Sequence, residues 1–157
     1  MALARRSLLA SLATPGVAAA TADPALEVQG AIAPPSPRRL GLDALDAIAS
    51  LPLTTRTPWT QGLQHFSGVP LRLLLDTLGA QGTTLRAVAL NDYVASMPIA
   101  EAVASDAFLA TRRDGAPIPV RLRGPCWIVF PWSQRPELET PENRRRAVWQ
   151  LQHIEIA

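Results

Sequence analysis

The sequence predicts a single α+β domain in which short strands form mixed β-sheets and a few short helices lie between them. Hydrophobic residues make up 48% of the 157 residues, which is enough to bury the core of one domain. Fifteen prolines and nine glycines divide the chain into short segments. Between these breaks, the apolar residues alternate as in strands more often than they recur at helical spacing.

Residues 1–22 are predicted to be an export signal. Two arginines precede a short apolar run from Leu8 to Ala13, and small residues suited to cleavage follow near residues 20–22. The run is far shorter than the roughly 20 residues of a membrane-spanning helix. We therefore expect a mature domain over residues 23–157 in the periplasm. A membrane anchor and a frayed cytosolic N-terminus are the alternatives, and both the Sec and twin-arginine routes stay open.

The first half of the mature chain is predicted from periodicity and turn residues. Residues 26–32 alternate as a strand, and prolines form a stiff loop after it. Helical spacing predicts a helix over residues 42–51, and β-favouring residues predict a strand over 53–57. Residues 62–68 are expected to be a loop. A helix over residues 69–79 has proline near its first turn and glycine at its end.

The second half is predicted to contain mostly short strands bounded by turn residues. The turn-prone pair Asn91-Asp92 joins two of the strands, and Asp114-Gly115 is a hairpin signal that closes another. The expected strands are residues 85–90, 93–97, 108–112, 127–130 and 149–156, with one or two helical turns over 99–104 and a polar loop over 136–146.

Charge and residue counts exclude several classes of function. The two leader arginines account for the whole excess of basic over acidic residues, so the mature domain lacks the basic field that nucleic-acid binding usually needs. A single cysteine, Cys126, excludes an intramolecular disulfide and a multi-cysteine metal site. It begins an apolar strand, so a buried inert thiol is expected. His65 and His153 are interpreted as surface or packing residues, and no catalytic or metal-binding residue is predicted.

The positive signal for function is the placement of the scarce aromatic residues. Trp59, Tyr93 and Trp132 each follow polar or proline residues in predicted loops. Aromatic faces beside amide, carboxylate and guanidinium groups suit a flat, polar heterocycle. The alternative is that both tryptophans belong to the rim of the core. Trp127 and Trp149, on predicted strands, are expected to be core residues.

Four polar residues are candidates to bind the edge of such a ring. Asn91 and Asp92 could accept hydrogen bonds from ring donors, since a carboxylate can accept two parallel bonds. Arg56 and Arg121 could donate to a carbonyl or a phosphate. Asn91-Asp92 could equally be only a turn. The run of three arginines, residues 144–146, is interpreted as a solvated face, with anion or partner binding as the alternative.

A series of short motifs runs in order from about residue 26 to 156. They are Thr57-Pro58-Trp59-Thr60, Phe66-Ser67-Gly68-Val69-Pro70-Leu71, Leu90-Asn91-Asp92-Tyr93, Leu109-Ala110-Thr111-Arg112 with Asp114-Gly115, Gly124-Pro125, and Val148-Trp149-Gln150-Leu151. In order and spacing they resemble the oxidoreductase molybdopterin-binding domain of the sulfite oxidase family. The resemblance implies a sulfite oxidase-like fold that holds a pterin.

The sequence departs from this family at one position that matters for chemistry. The family's enzymes carry a molybdenum-ligating cysteine upstream of the segment matching residues 68–71. The corresponding position here falls near Arg56 or Thr57, and Cys126 lies in a different segment. Without the thiolate the metal loses its protein anchor, which puts the usual oxo-transfer chemistry in doubt.

The chain resembles small exported proteins of this group that bind a reduced pterin. The resemblance implies a non-catalytic, tetrahydropterin-binding protein that regulates a membrane-bound cyclic-di-GMP enzyme through that enzyme's periplasmic region. The predicted pterin-binding residues are Arg56, Trp59, Asn91, Asp92, Tyr93, Arg121 and Trp132. A molybdopterin-dependent oxidoreductase, with the metal held by the dithiolene, is the second hypothesis. A structural or interaction domain that has lost its ligand is the third.

Overall fold

The computed structural model describes residues 24–157, and it confirms the predicted α+β class with mixed sheets. The predicted leader, residues 1–22, lies outside the described residues. The strands are β1 (Leu26–Gly30), β2 (Arg38–Leu40), β3 (Leu51–Thr55), β4 (Gln64–Pro70), β5 (Thr84–Ala89), β6 (Val94–Pro98), β7 (Phe108–Arg113), β8 (Ala116–Pro117), β9 (Trp127–Val129) and β10 (Leu151–Ile156). The α-helices are α1 (Leu42–Ile48), α2 (Leu71–Thr77), α3 (Ile99–Ala104) and α4 (Pro141–Arg146), with 3-10 helices at Val120–Leu122 and Pro136–Leu138.

The first sheet has the order β2-β1-β10-β5-β6 and combines parallel with antiparallel pairing. Strands β1 and β10 run parallel, with Val28 opposite Ile154, and the other neighbours are antiparallel. Val28 and Ile154 are fully buried. Glu27, between two buried residues of β1, instead pairs with Arg39 on β2 at 2.8 Å. This alternation is the pattern that predicted the first strand.

The second sheet has the order β3-β4-β7-β8, and β9 pairs with β7. The prediction of a loop over residues 62–68 was wrong, because β4 occupies most of it and pairs on both sides. Phe66 and Val69 are buried, while polar residues and Gly68 weaken the strand signal. A Cβ at Gly68 would collide with the Leu109 carbonyl oxygen on β7. Glycine therefore permits the close pairing of β4 with β7.

Prolines set the starts of two helices that the sequence predicted. Pro70 is the last residue of β4 and directly precedes α2, and Pro98 ends β6 directly before α3. Gly79, two residues after α2, has φ +61, so it takes the left-handed conformation that commonly follows a helix. These junctions turn each strand directly into a helix without an intervening loop.

The prediction of a polar loop over residues 136–146 was also wrong, because the segment contains a 3-10 helix and α4. The side-chain oxygen of Thr140 accepts the Asn143 backbone N–H at 3.1 Å and caps α4, and Pro141 is its first residue. Glu142 lies in the first turn and three arginines lie in the last turn. Charges of these signs at these ends stabilise the helix by interacting favourably with its dipole. The cap and the following proline are helix-start signals that the polarity of the segment obscured.

The closing strand begins two residues later than predicted. Gln150 has φ +49, which interrupts the extended backbone before Leu151. Trp149 consequently lies outside the strand and is half-buried, whereas Trp127 is fully buried on β9 as predicted. Buried residues from both sheets join in one hydrophobic cluster. Among residues 24–157, no helix has both the length and the apolar character to cross a membrane.

Candidate functional site

A cleft of about 310 Å³ opens between the β5–β6 turn and the segment that follows α4. This volume lies at the lower end of the range of small-molecule sites, about 300–1,000 Å³. The cleft is bounded by aromatic, small apolar and cationic side chains. Its lining residues are Trp59, Ala89, Asn91, Tyr93, Arg144, Arg145, Ala147, Val148 and Trp149.

Trp59 connects the cleft to the core through a cluster of all four tryptophans. Its ring centroid lies 5.1 Å from that of Trp149, 5.8 Å from Trp132 and 6.1 Å from Trp127. The first two pairs are edge-to-face, which is a favourable arrangement of aromatic rings. Trp59 is half-buried, so the cluster holds an aromatic surface rigidly at the cleft.

The β5–β6 turn forms one side of the cleft and is held in place by two hydrogen bonds that Tyr93 donates. Its phenol donates to the Arg145 carbonyl oxygen at 2.8 Å, and its backbone N–H donates to Asn91 Oδ1 at 3.3 Å. Asp92, between them, has φ +64. Aspartate tolerates this left-handed conformation better than most residues.

The arginine run forms the opposite side of the cleft. Arg144 pairs with Glu139 at 2.6 Å, and Arg146 pairs with Glu101 and Glu142 at 2.7 and 2.6 Å. Arg145 is exposed and makes no ion pair with a described residue. The expectation of a solvated face holds for Arg144 and Arg145, which are exposed and line the cleft, but not for Arg146, whose side chain is only 11% exposed.

The structure brings three of the seven predicted site residues together in the cleft, namely Trp59, Asn91 and Tyr93. Arg56 and Trp132 line a second cleft of about 510 Å³ instead. Trp132 is almost wholly buried, and its indole N–H donates to the Leu138 carbonyl oxygen at 3.3 Å.

The other two predicted residues line neither cleft. Asp92 is exposed at the β5–β6 turn, and Arg121 is exposed on the 3-10 helix Val120–Leu122. Their assignment to pterin binding stays a prediction.

Arg123 lines neither cleft but contacts tryptophans that do, and the sequence analysis did not single it out. Its guanidinium carbon lies 5.3 Å from the ring centroids of both Trp127 and Trp149, within cation–π range. Its Nη2 donates to the Trp59 carbonyl oxygen at 3.5 Å. No sequence signal marked this arginine, because the contact depends on three tryptophans from separate segments.

Thr57 stands close to where the family resemblance places the metal-ligating cysteine. It is buried, and its hydroxyl lies 2.6 Å from that of Thr60. The same oxygen accepts the Trp59 backbone N–H at 3.2 Å. Thr57 thus holds the turn that presents Trp59.

The single cysteine lies away from both clefts, as predicted for an inert thiol. Cys126 is fully buried, and its Sγ lies 3.8 Å from the Ala25 carbonyl oxygen. Burial raises the pKa of this thiol to about 12, so it stays protonated at ordinary pH. Within residues 24–157, no group of three or more histidine, cysteine, aspartate or glutamate side chains could hold a metal ion.

Comparison with known proteins decides the family. The model of the oxidoreductase molybdopterin binding domain matches residues 25–134. The chain belongs to this family. Arg144, Arg145 and Trp149, which line the cleft, follow the residues that match the family model. No curated protein matches the chain.

A solved structure confirms the sulfite oxidase-like fold of this molybdopterin-binding domain. The chain is similar to the crystal structure of the sulfane dehydrogenase SoxCD from Paracoccus pantotrophus, with a TM-score of 0.62 and 19% sequence identity. The match covers 84% of this chain and 37% of that one. The chain therefore spans little more than a third of the length of that protein chain.

The family implies a pterin-type cofactor. The ring of such a cofactor fits this chain, but a molybdenum ion held by a protein thiolate does not. The aromatic side chains of Trp59, Tyr93 and Trp149, with Arg144 and Arg145 in the same cleft, fit a flat ring with polar edges. A molybdenum ion ligated by a protein thiolate does not fit, because Thr57 carries a hydroxyl and Cys126 is buried elsewhere.

Proposed function

We propose that this protein binds a reduced, tetrahydropterin-like ligand in the cleft and acts as a periplasmic binding protein without catalysing a reaction. The observation that carries the proposal is that Trp59, Tyr93 and Trp149 meet two arginines in a cleft that contains no thiolate. Membership of the molybdopterin-binding family supports a pterin as the heterocycle.

The cleft residues divide into two roles in this proposal. Trp59 and Tyr93 contact the faces of the ring, with Trp149 beside Trp59, because aromatic rings give large contact areas at low entropic cost. Asn91, with Asp92 next to it, binds the pyrimidine edge, whose amino and ring N–H groups are donors.

The arginine side chains of the cleft bind the substituents of the ring. Arg144 and Arg145 lie at the same cleft and can donate to carbonyl, hydroxyl or anionic groups. Arg56 and Trp132, at the second cleft, and the exposed Arg121 contribute only to a ligand that extends beyond the ring.

The experiment that tests binding uses protein produced with its leader and purified from the periplasm. We expect denaturation to release a pterin close to one per chain, identified by mass spectrometry and fluorescence, with no molybdenum in the same sample. Trp59→Leu should lose most of the pterin, whereas Leu122→Ala, an exposed position outside the cleft, should keep it. The absence of any pterin from the purified wild-type protein would overturn the proposal.

The regulatory part of the proposal concerns a membrane-bound cyclic-di-GMP enzyme, whose periplasmic region would bind the pterin-loaded protein. It is supported by the predicted leader and by the resemblance to small exported pterin-binding proteins. Deleting the gene in its source organism should change the cellular level of cyclic-di-GMP. Expressing the Trp59→Leu variant in the deletion strain should not reverse the change in cyclic-di-GMP level, whereas expressing the wild-type protein should. An unchanged level in the deletion strain removes this part of the proposal.

A molybdopterin-dependent oxidoreductase is the second candidate, and the likeness to a sulfane dehydrogenase favours it. The same purified sample separates the two functions. Stoichiometric molybdenum together with redox activity would support the enzyme, and the metal would then need a ligand other than Cys126. A metal-free pterin supports the binding protein.

A further inference from the structure

The cleft carries positive charge that its own lining does not neutralise. Arg144 and Arg145 line it, and among the described residues of the lining there is no aspartate or glutamate. Asp92 of the β5–β6 turn is exposed and lies outside the lining. The charge that a bound ligand meets therefore depends on how far carboxylates outside the cleft neutralise the two arginines.

Arg144 is paired with a carboxylate that belongs to the second cleft. Its Nη2 donates to Oε1 of Glu139 at 2.6 Å, and Glu139 lines the second cleft. This ion pair links the two clefts and offsets the charge that Arg144 brings to the first. Both side chains are exposed, and an ion pair at the surface is weak enough to be exchanged for a contact with a ligand.

Arg145 keeps its charge, because the carboxylates around α4 bind other arginines. Glu142, three residues earlier on α4, pairs with Arg146 at 2.6 Å, and Glu101 of α3 pairs with the same guanidinium at 2.7 Å. The backbone of Arg145 is held at the cleft by the hydrogen bond from Tyr93. One arginine of the cleft thus has a charge that no carboxylate of the described residues neutralises.

We propose that the cleft selects a pterin whose ring substituent carries a negative charge, and that Arg145 is the cation that binds this substituent. The proposal rests on the proposed function, because it names the class of pterin that the same cleft takes. A guanidinium binds a carboxylate through charge-assisted hydrogen bonds, which are about twice as strong as neutral ones. Glu139 limits the selection, because it competes with the ligand for Arg144.

The test compares two probes that share the ring and differ in the charge of the substituent. They are the tetrahydro forms of 6-hydroxymethylpterin, whose substituent is neutral, and of pterin-6-carboxylate, whose substituent is anionic. Anaerobic calorimetric titration at low salt should show the wild-type protein binding the carboxylate probe roughly fivefold more tightly. The preference should shrink at high salt, because salt screens the interactions of exposed charges.

Three variants assign the preference to individual side chains. Arg145→Gln should abolish it, whereas Arg145→Lys, which keeps the charge, should retain most of it. Tyr93 binds the backbone carbonyl oxygen of Arg145, so both substitutions leave that hydrogen bond in place. Glu139→Gln releases Arg144 for the ligand and should increase the preference roughly twofold to fivefold.

Two control variants change the net charge by the same amount elsewhere. Arg72→Gln on α2 removes a positive charge, Glu155→Gln on β10 removes a negative charge, and neither residue lines either cleft. Both should keep the wild-type preference. A merely structural role of Arg145 or Glu139 would change the affinity for both probes equally and leave their ratio unchanged. Thermal melts establish that each variant is folded.

The outcomes separate the charge selection from the proposed function. A wild-type protein that binds neither probe overturns pterin binding, and the charge selection with it. Equal binding of the two probes by wild type, or an unchanged preference in folded Arg145→Gln, overturns the charge selection alone. An unchanged preference in Glu139→Gln contradicts the role given to that residue. A preference that Arg145→Gln loses, Arg145→Lys retains and Glu139→Gln increases supports the proposal.

Discussion

The phenol of Tyr93 donates a hydrogen bond of 2.8 Å to the backbone carbonyl oxygen of Arg145, 52 residues away in the chain. This bond joins the β5–β6 turn to the last turn of α4, and both elements line the cleft. The width of the cleft thus depends on a contact between two separate segments.

Tyr93→Phe should lower pterin affinity severalfold while keeping an aromatic ring at the cleft. The lost hydrogen bond is partly exposed, so the free energy of unfolding should fall by only about 0.5–1 kcal/mol. Urea unfolding and calorimetric titration measure the two effects. Tyr93→Ala, which also removes the ring, should bind more weakly than Tyr93→Phe. Equal affinities of the two variants would show that the ring makes no contact with the ligand.

Asp92→Asn is the sharpest test of a site residue predicted from the sequence. Asparagine tolerates the left-handed conformation of this turn, so the substitution removes the charge and preserves the backbone. We expect binding to lose about 1–3 kcal/mol, because donors on the pyrimidine edge lose a carboxylate partner. Wild-type affinity in this variant would remove Asp92 from the site and leave it as a turn residue.

Thr140→Ala should destabilise the protein by about 1 kcal/mol, because the substitution removes the cap of α4. The same helix carries Arg144 and Arg145, so pterin affinity should fall together with stability. Thr140→Ser keeps the capping hydroxyl and should restore both quantities. Chemical denaturation and titration of the three proteins measure the link between the cap and the cleft.

The stability of the fold should decline at high pH in a way that depends on Cys126. Burial raises the pKa of this thiol from about 9 to about 12, so the folded state favours the neutral form. The contribution is fully present below about pH 9 and is lost as the pH rises towards 12, because the unfolded thiol ionises first. Between about pH 8 and 10.5, wild type should lose about 1–2 kcal/mol more than Cys126→Ala. Parallel losses in the two proteins would contradict this account.

Local signals were enough to predict the elements whose form depends on nearby residues. The β5–β6 pair was placed from its strands and the Asn91-Asp92 turn, and the β7–β8 hairpin from Asp114-Gly115, whose φ values are both positive. β4 was missed because its strand form depends on pairing with other strands, of which β7 is distant in sequence.

The site was predictable to the extent that its residues are neighbours in the sequence. Asn91 and Tyr93 share a turn, and Trp59 stands in a recognisable motif. Arg123 could not be found in this way, because its role depends on tryptophans that only the fold brings together. Trp149 was placed in the core, since the break at Gln150 that exposes it to the cleft leaves no pattern in the sequence.

The position of β10 in the first sheet has a consequence for how the chain reaches its folded state. This strand lies between β1 and β5, so residues from the two ends of the domain meet in the middle of one sheet. Before β10 is available, β1–β2 and β5–β6 are separate pairs with open edges. The first sheet therefore stays incomplete until β10, the last strand of the described residues, has been synthesised.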